Sequence, residues 1–334
     1  AGVKPSTYTN VGATTFTPTS TQIINLNASG TATLTDASGN VHEMLALRFG
    51  ANADQTLAFA DGNDVLYIGS GGVLMENYNR TRNIGTSSVG GKITAGPSSG
   101  ASGTQELFFH IPQGTTYVYS TITDNGTAPV ALVKDLGGIL NLRVANTYSG
   151  GTYIYGGELG AYATGALGTG PVLIKAGMLR QNVSGVTTST AGIEARDGGV
   201  IYLDNNGVTY NADGDRYIVR SGSVIFGHAN TTNRSLSGLT RVSTLTGGGQ
   251  VILEPGAIVA IHNDSTYAGD LMTYMIKNLG TDADLFFCQQ WGNLPNPFGS
   301  PLQSLTVGAG TPWKGISSVD SNYGWYQGTI YANS

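Results

Sequence analysis

The feature that most constrains the fold of this chain is a short β-strand pattern that recurs between glycine turns. In NTYSGGTYIYGGEL, residues 146–159, an alternating run of Thr, Tyr and Ile lies between two glycine pairs, Gly150 with Gly151 and Gly156 with Gly157. β-Branched and aromatic residues fit a pleated, half-buried surface, and glycine supplies the positive φ angles that sharp corners need. The segment therefore predicts strands that meet at tight repeat turns.

The same plan recurs along most of the chain. Runs such as DVLYIGSGGVL, GPVLIKAGMLR and GGGQVILEPGAIVAI each contain an apolar strand, a glycine turn and a second strand. The units return at intervals of roughly 20 to 35 residues, which is the spacing of solenoid repeats. In a β-solenoid each turn pairs with the turns above and below it and stacks its inward side chains into an apolar column. We therefore expect an all-β fold, a β-solenoid of roughly eight to ten turns.

Composition agrees with many short strands joined by glycine turns. The 334 residues include 50 glycines, yet 40% of the chain is hydrophobic, so it is not a disordered Gly/Ser tract. We expect three segments along the chain. They are an extended N-terminal arm with a first cap over residues 1–40, the β-solenoid over residues 41–265, and a small C-terminal cap or assembly segment over residues 266–334.

Residues 131–180 resemble a known family. Leu132 and Lys134, the turn at Gly137 and Gly138, and the motifs ANTYSGGT, GGEL and GALGTGPV follow one another in order. Together they resemble the autotransporter-associated β-strand repeat, also called the passenger-associated transport repeat, and residues 46–74 resemble it more loosely. The resemblance implies a right-handed β-helix that is exported to the bacterial cell surface.

Charge and cysteine content exclude several classes of function. The net charge is −5 and the 16 Lys and Arg residues are scattered, whereas nucleic-acid binding needs clustered cations. The single cysteine, Cys288, excludes an intrachain disulfide and a Cys-rich zinc site. No run approaches the ~18 apolar residues of a transmembrane helix.

The first residues bear on localisation. The chain opens on Ala1 and a polar, Thr-rich stretch, as a chain does after removal of a secretion signal, although a trimmed chain would open in the same way. We expect an extracellular or cell-surface protein, secreted after signal-peptide removal.

Candidate metal ligands are few. Asn211, Asp213 and Asp215 in NADGD stand at alternate positions, as oxygen ligands of Ca²⁺ do, and Asp61 and Asp64 in DGND form a second incomplete set. Both sets lack the remaining ligands, and an Asx-type turn is the competing interpretation. The sequence therefore predicts neither a bound metal nor a cofactor.

Candidate catalytic residues are equally sparse. β-Helix folds carry polysaccharide lyases and glycosidases, which need paired carboxylates or calcium with a basic residue. Glu158, Asp197, Asp204 and Glu254 could supply carboxyl groups, but isolated solvated charges are the competing interpretation. We predict no catalytic residue and no enzyme.

The ends of the coil offer a route to assembly. An open β-solenoid presents unpaired N–H and C=O groups at both ends, and strand donation to a neighbour is a recurrent mode of association. The tail aromatics are either interface anchors or the core of a small cap. The candidate interface residues are Tyr8, Val11, Phe16, Ile23, Trp291, Phe298, Trp313, Tyr323, Trp325 and Tyr326.

These expectations lead to one predicted function and two alternatives. The prediction is a secreted, non-enzymatic structural protein of the bacterial cell surface whose copies join head to tail into an extracellular filament, since heterologous contacts that do not close form fibres. The first alternative is a monomeric adhesin, like an autotransporter passenger, whose partners are surface glycans or matrix. The second is a polysaccharide lyase or hydrolase on a β-helix.

Overall fold

The computed structural model describes residues 7–35, 39–187, 189–204, 215–228, 239–263, 284–290 and 325–327. These residues form strands and turns without a helix, and the parallel strands stack as a β-solenoid of about eight turns. The predicted all-β solenoid is confirmed. Contacts divide the chain into two units, residues 1–179 with 186–191, and residues 180–185 with 192–334.

The first unit contains three parallel sheets, with strands numbered in chain order. In spatial order, the first sheet contains β1 (Thr9–Val11), β3 (Ile23–Leu26), β6 (Ala46–Phe49), β9 (Gly72–Met75), β12 (Gln105–His110), β15 (Val130–Asp135), β17 (Thr152–Ile154) and β19 (Val172–Lys175). The second contains β2 (Thr15–Phe16), β4 (Gly30–Leu34), β7 (Gln55–Phe59), β10 (Thr81–Ile84), β13 (Thr115–Val118), β16 (Ile139–Leu142) and β18 (Glu158–Ala161). The third contains β14 (Thr121–Ile122), β11 (Lys92–Ala95), β8 (Val65–Ile68) and β5 (Val41–Met44).

The second unit begins within β20 (Met178–Gln181) and contains two sheets. The order of its first sheet is β21 (Ile193–Arg196), β23 (Tyr217–Val219), β26 (Gln250–Leu253) and β25 (Thr240–Arg241). The order of the other is β22 (Val200–Leu203), β24 (Val224–His228), β27 (Ile258–Asn263), β28 (Asp284–Gln290) and β29 (Trp325–Gln327). The strands β28 and β29 pair antiparallel.

Buried apolar columns pass from turn to turn through the first unit. Within its second sheet, one such column is formed by Leu57, Ile84, Val118, Leu142 and Ala161. Parallel pairing at one register sets these side chains over one another, and each buried apolar side chain contributes roughly 1.5–3 kcal/mol. The residues on either side of each column member point to the outer face of the sheet, because successive side chains of a strand alternate.

One interior column of the first sheet contains a lysine. The column consists of Ile24, Leu47, Val73, Phe109, Lys134, Ile154 and Ile174. The Lys134 ammonium is buried and donates hydrogen bonds to the carbonyls of Asp135 at 2.7 Å and Leu136 at 2.9 Å. It donates a third, at 3.1 Å, to the carbonyl of Gly156 in the next turn. Burial lowers the pKa of Lys134 to about 8.

The glycine pairs of the opening motif lie at corners of the first unit. Gly150 and Gly151 precede β17, and Gly156 and Gly157 precede β18. Gly151 has a φ of 100° and Gly157 a φ of 62°, conformations that favour glycine. A Cβ on Gly157 would also lie 2.4 Å from a carbonyl oxygen of the preceding turn, so the corner is too tight for a side chain.

The predicted boundaries of arm and cap stay predictions. Strands β1 to β4 lie within residues 1–40 and pair with strands of the first two sheets. Most of residues 266–334 lies outside the described residues. Within the part of the chain that the structure describes, no helix has the length and hydropathy needed to span a membrane.

Candidate functional site

A groove of about 460 Å³ opens on the first unit. Its lining residues are Gly62, 86–91, Tyr119, Thr121, Arg143 and Val144. They contribute serine and threonine hydroxyls, one aromatic ring and one guanidinium, and include no carboxylate. The groove is therefore polar, with a single positive charge at its wall.

Residues at one register position of the second sheet form the wall of the groove that carries the positive charge. Tyr119, Arg143 and Tyr162 directly follow the paired residues Val118, Leu142 and Ala161 of three successive turns. The Arg143 N–H donates to the carbonyl of Val118, and the Tyr162 N–H to that of Leu142, both at 3.0 Å. Since the three preceding side chains are buried, Tyr119, Arg143 and Tyr162 form a column on the outer face.

Arg143 lies among tyrosine rings. Its Cζ is 4.7 Å from the ring centroid of Tyr162 and 5.9 Å from that of Tyr117, within the range of cation–π attraction. The Tyr117 and Tyr119 rings stack at 6.4 Å with an interplanar angle of 25°. We call these four residues, Tyr117, Tyr119, Arg143 and Tyr162, the tyrosine–arginine patch.

A glycine makes room for one ring of the tyrosine–arginine patch. Gly160 lies in β18, two residues before Tyr162. A Cβ on Gly160 would be 2.6 Å from Cε2 of Tyr162 and 2.2 Å from Oδ1 of Asn141, closer than real Cβ atoms approach. The Tyr162 ring therefore lies over the Gly160 backbone, where Arg143 stacks on it.

The guanidinium of Arg143 is exposed and makes no hydrogen bond or ion pair with the residues that the structure describes. Three other arginines on the outer faces, Arg48, Arg180 and Arg220, have carboxylate partners. In the first unit, Nε of Arg48 lies 3.0 Å from Oε1 of Glu76. In the second unit, Arg180 pairs with Asp204.

Arg220 of the second unit has two such partners. It binds Glu194, with 3.1 Å between Nε and Oε1, and also Glu254. These hydrogen bonds raise the pKa of Arg220, and the bond from Arg220 lowers the pKa of Glu254. Arg143 differs from these arginines because tyrosines occupy the positions of its neighbours.

Among the predicted carboxylates, Asp204 and Glu254 thus take part in ion pairs with arginines. Glu158 begins β18, and Asp197 lies at a corner after β21 with a φ of 52°. The structure does not place any of the four among the groove-lining residues.

The candidate Ca²⁺ ligands accept local hydrogen bonds where they are described. The Asp61 carboxylate accepts the N–H of Asn63 at 2.7 Å, and the Asp64 carboxylate accepts the N–H of Asp61 at 2.8 Å, as in Asx-type turns. Asp215 is buried and accepts a hydrogen bond from the side-chain amide of Gln181. Asn211 and Asp213 lie outside the described residues. Within the described ranges, no group of three or more His, Cys, Asp or Glu residues could hold a metal ion.

The predicted assembly residues divide into two groups. Of the first group, Val11 is buried and Tyr8, Phe16 and Ile23 are half-buried, and the Tyr8 ring centroid is 4.6 Å from Cζ of Arg48. The second group is Trp291, Phe298, Trp313 and Tyr323, outside the described residues, and Trp325 and Tyr326, of which the structure describes the backbone of β29 alone.

No sequence motif singled out Tyr119, Arg143 or Tyr162 as candidate site residues. They are separated by 24 and 19 residues, because turns of unequal length connect the strands. The sequence does contain a pattern that could have identified them, since each of the three residues directly follows the last apolar residue of a strand in the same sheet. Aligning the turns at their strand ends would have set the three residues in one column.

Comparison of the chain with protein-family models, with curated proteins and with solved structures finds no match. The resemblance to the autotransporter-associated repeat therefore stays a prediction.

Proposed function

We propose that this chain is a non-enzymatic, extracellular β-solenoid that binds a saccharide in the groove beside the tyrosine–arginine patch. The observation that carries the proposal is an exposed guanidinium between tyrosine rings, next to a wall of serine and threonine hydroxyls. Tyrosine offers an apolar face together with a polar tip, and hydroxyls both donate and accept hydrogen bonds. A sugar ring has the complementary surface, with C–H faces and a rim of hydroxyl groups.

The composition of the groove supports binding rather than catalysis. Glycoside hydrolysis needs two carboxyl groups placed about 5–9 Å apart on either side of the scissile bond. Arg143 is the one charged residue among those that line the groove. A residue able to accept and return a proton near pH 7 is absent from that set, so the lining residues can hold a saccharide but do not form an acid–base pair.

An extracellular location belongs to the same proposal. Charged residues make up 11% of the chain, against about 25% in an ordinary soluble domain, and the outer surface is wetted mainly by hydroxyl and amide groups. The resemblance of residues 131–180 to a repeat of exported surface proteins supports this location. A chain of this kind would meet glycans of cell surfaces and matrix.

A glycan array tests the proposal directly. We expect the wild-type protein to bind a defined subset of saccharides and Tyr119→Ala to weaken that binding about five- to tenfold, because contacts with one aromatic face are worth about 1–1.5 kcal/mol. Tyr155→Ala is the matched control, because Tyr155 is 46% exposed and does not line the groove. Absence of saccharide binding by the wild type, or equal binding by Tyr119→Ala, would reject the proposal.

End-to-end assembly is a second candidate, favoured by the edge at β1. Val11 accepts a hydrogen bond from Asn27 through its carbonyl, so its N–H and C=O face β3. The backbone groups of Asn10 then face the opposite edge, where no strand among the described residues pairs with β1. Such an edge is a template for a strand of another copy.

Electron microscopy separates this candidate from a monomeric binder. If copies join at β1, the wild type forms filaments, and Asn10→Pro abolishes them because proline removes the edge N–H. Asn10→Ala keeps that N–H and serves as the control. Discrete particles in the wild-type sample would rule out assembly.

A further inference from the structure

We infer that the saccharide bound in the groove is acidic, and that its carboxylate or sulfate group binds Arg143. This inference rests on the proposed saccharide-binding function and names the class of ligand. A guanidinium carries five N–H donors in a fixed planar fork, which matches the oxygens of a carboxylate or sulfate. All five donors of Arg143 lack a partner among the described residues, and the groove-lining residues offer no carboxylate.

Two arginines that have carboxylate partners show which group is missing beside Arg143. Arg48 binds Glu76, and Arg220 binds Glu254, whose backbone N–H donates to the carbonyl of Val219, the residue before Arg220. The partner of Arg220 therefore stands at the same register position in the next turn. At the register of Arg143, the two neighbouring turns carry Tyr119 and Tyr162 instead. The anion that these turns do not supply is left for a ligand to provide.

The tyrosines also hold the guanidinium in place. The rings of Tyr117 and Tyr162 lie 5.9 and 4.7 Å from the Arg143 Cζ and restrict the head group by cation–π attraction, while its N–H donors have no partner among the described residues. A positioned arginine loses less side-chain entropy when it binds an anion. The tyrosine–arginine patch is therefore arranged for an anion bound at the edge of the guanidinium.

The direction of the column indicates how a longer saccharide would lie. Successive turns of a parallel sheet are about 4.8 Å apart, so the column from Tyr119 through Arg143 to Tyr162 spans about 10 Å. An oligosaccharide that runs along this column contacts both outer rings of the column and brings its anionic group to Arg143. A saccharide that runs across the sheet would contact one of the three residues of the column.

Isothermal titration with three tetrasaccharides tests the inference. The probes are neutral chitotetraose, a hyaluronan tetrasaccharide, which carries carboxylates alone, and a chondroitin 4-sulfate tetrasaccharide, which carries carboxylates and sulfates. We expect the wild type to bind at least one acidic probe about 10- to 100-fold more tightly than chitotetraose, the range of a charge-assisted hydrogen bond. Equal affinity for the two acidic probes assigns the contact to the carboxylate, and preference for the sulfated probe assigns it to the sulfate.

Two variants complete the design. Arg143→Gln should remove the preference for acidic probes, whereas Arg196→Gln, which removes another exposed arginine outside the groove, should preserve that preference. Equal binding of neutral and acidic probes, weakened alike by Tyr119→Ala but not by Arg143→Gln, would overturn the inference and leave the proposed function standing. Failure of all saccharides to bind in this assay and on the glycan array would overturn both.

Discussion

The buried lysine of the solenoid interior gives a stability prediction whose size follows from the structure. Lys134 lies between Phe109 and Ile154 in a column that is otherwise apolar. Burial lowers its pKa from 10.5 to about 8. At ~1.4 kcal/mol for each pKa unit, this difference corresponds to about 3.5 kcal/mol that opposes folding while the folded and unfolded states both hold the proton. The three carbonyl hydrogen bonds to the ammonium offset part of this desolvation.

The pH dependence has a definite sign. Below pH 8 the folded and unfolded chains are both protonated at Lys134, and the whole penalty is present. Between pH 8 and 10.5 the folded chain releases the proton while the unfolded chain keeps it, so the unfolded state binds more protons and stability rises with pH. Above pH 10.5 both states are neutral at this site and the penalty is gone.

Urea unfolding of the wild type and Lys134→Met from pH 7 to pH 10 measures this effect. Methionine has a similar volume and does not titrate, so the difference between the two proteins cancels the titration of other groups. We expect the free energy of unfolding of the wild type, relative to Lys134→Met, to increase by about 2.5 kcal/mol over this range. A difference that stays constant with pH would refute the argument that burial dominates the pKa of Lys134.

Three further substitutions test separate parts of the account. Gly160→Ala should displace the Tyr162 ring and weaken saccharide binding about fivefold by titration, because one aromatic contact is worth about 1 kcal/mol. Gly12→Ala is the control, because a Cβ on Gly12 would meet its nearest atom at 4.0 Å, and it should bind saccharide as the wild type does. Equal saccharide affinities of Gly160→Ala and Gly12→Ala would contradict the role of Gly160 in making room for the Tyr162 ring. Asn146→Ala should lower the free energy of unfolding by about 2–3 kcal/mol, since the buried amide bonds backbone groups of neighbouring turns, and a loss under 1 kcal/mol in urea unfolding would refute it. Tyr148→Phe should cost about 1 kcal/mol in the same assay, because a buried hydroxyl bond of 2.6 Å is lost, and an unchanged midpoint would count against that bond.

Much of the fold could be predicted from local sequence pattern. Alternation in segments such as Thr115–Val118 sets one face inward, and glycine at positions such as Gly157 marks corners that only a residue with positive φ turns easily. Lys134 could not be predicted as an interior residue, because a lysine is ordinarily exposed. Its burial depends on carbonyls that the corner after β15 and the adjacent turn bring within reach of the ammonium.

The candidate site was not predicted, for a related reason. Tyr119, Arg143 and Tyr162 become neighbours through register, which depends on the lengths of the connecting turns and on pairing between strands far apart in sequence. The absence of a carboxylate partner for Arg143 among the described residues is likewise a property of three turns together. Sequence reasoning selected acidic residues such as Asp204 and Glu254 as candidates, and the structure shows them engaged by arginines.

Binding of an acidic saccharide in the groove beside the tyrosine–arginine patch can be seen directly. The most direct measurement is a crystal structure of the protein with the acidic tetrasaccharide that it binds most tightly in solution. We expect electron density along the column, with the anionic group within hydrogen-bond distance of the Arg143 guanidinium and a sugar ring against Tyr119. Density for the saccharide at another place on the chain, with this groove unoccupied, would contradict the account.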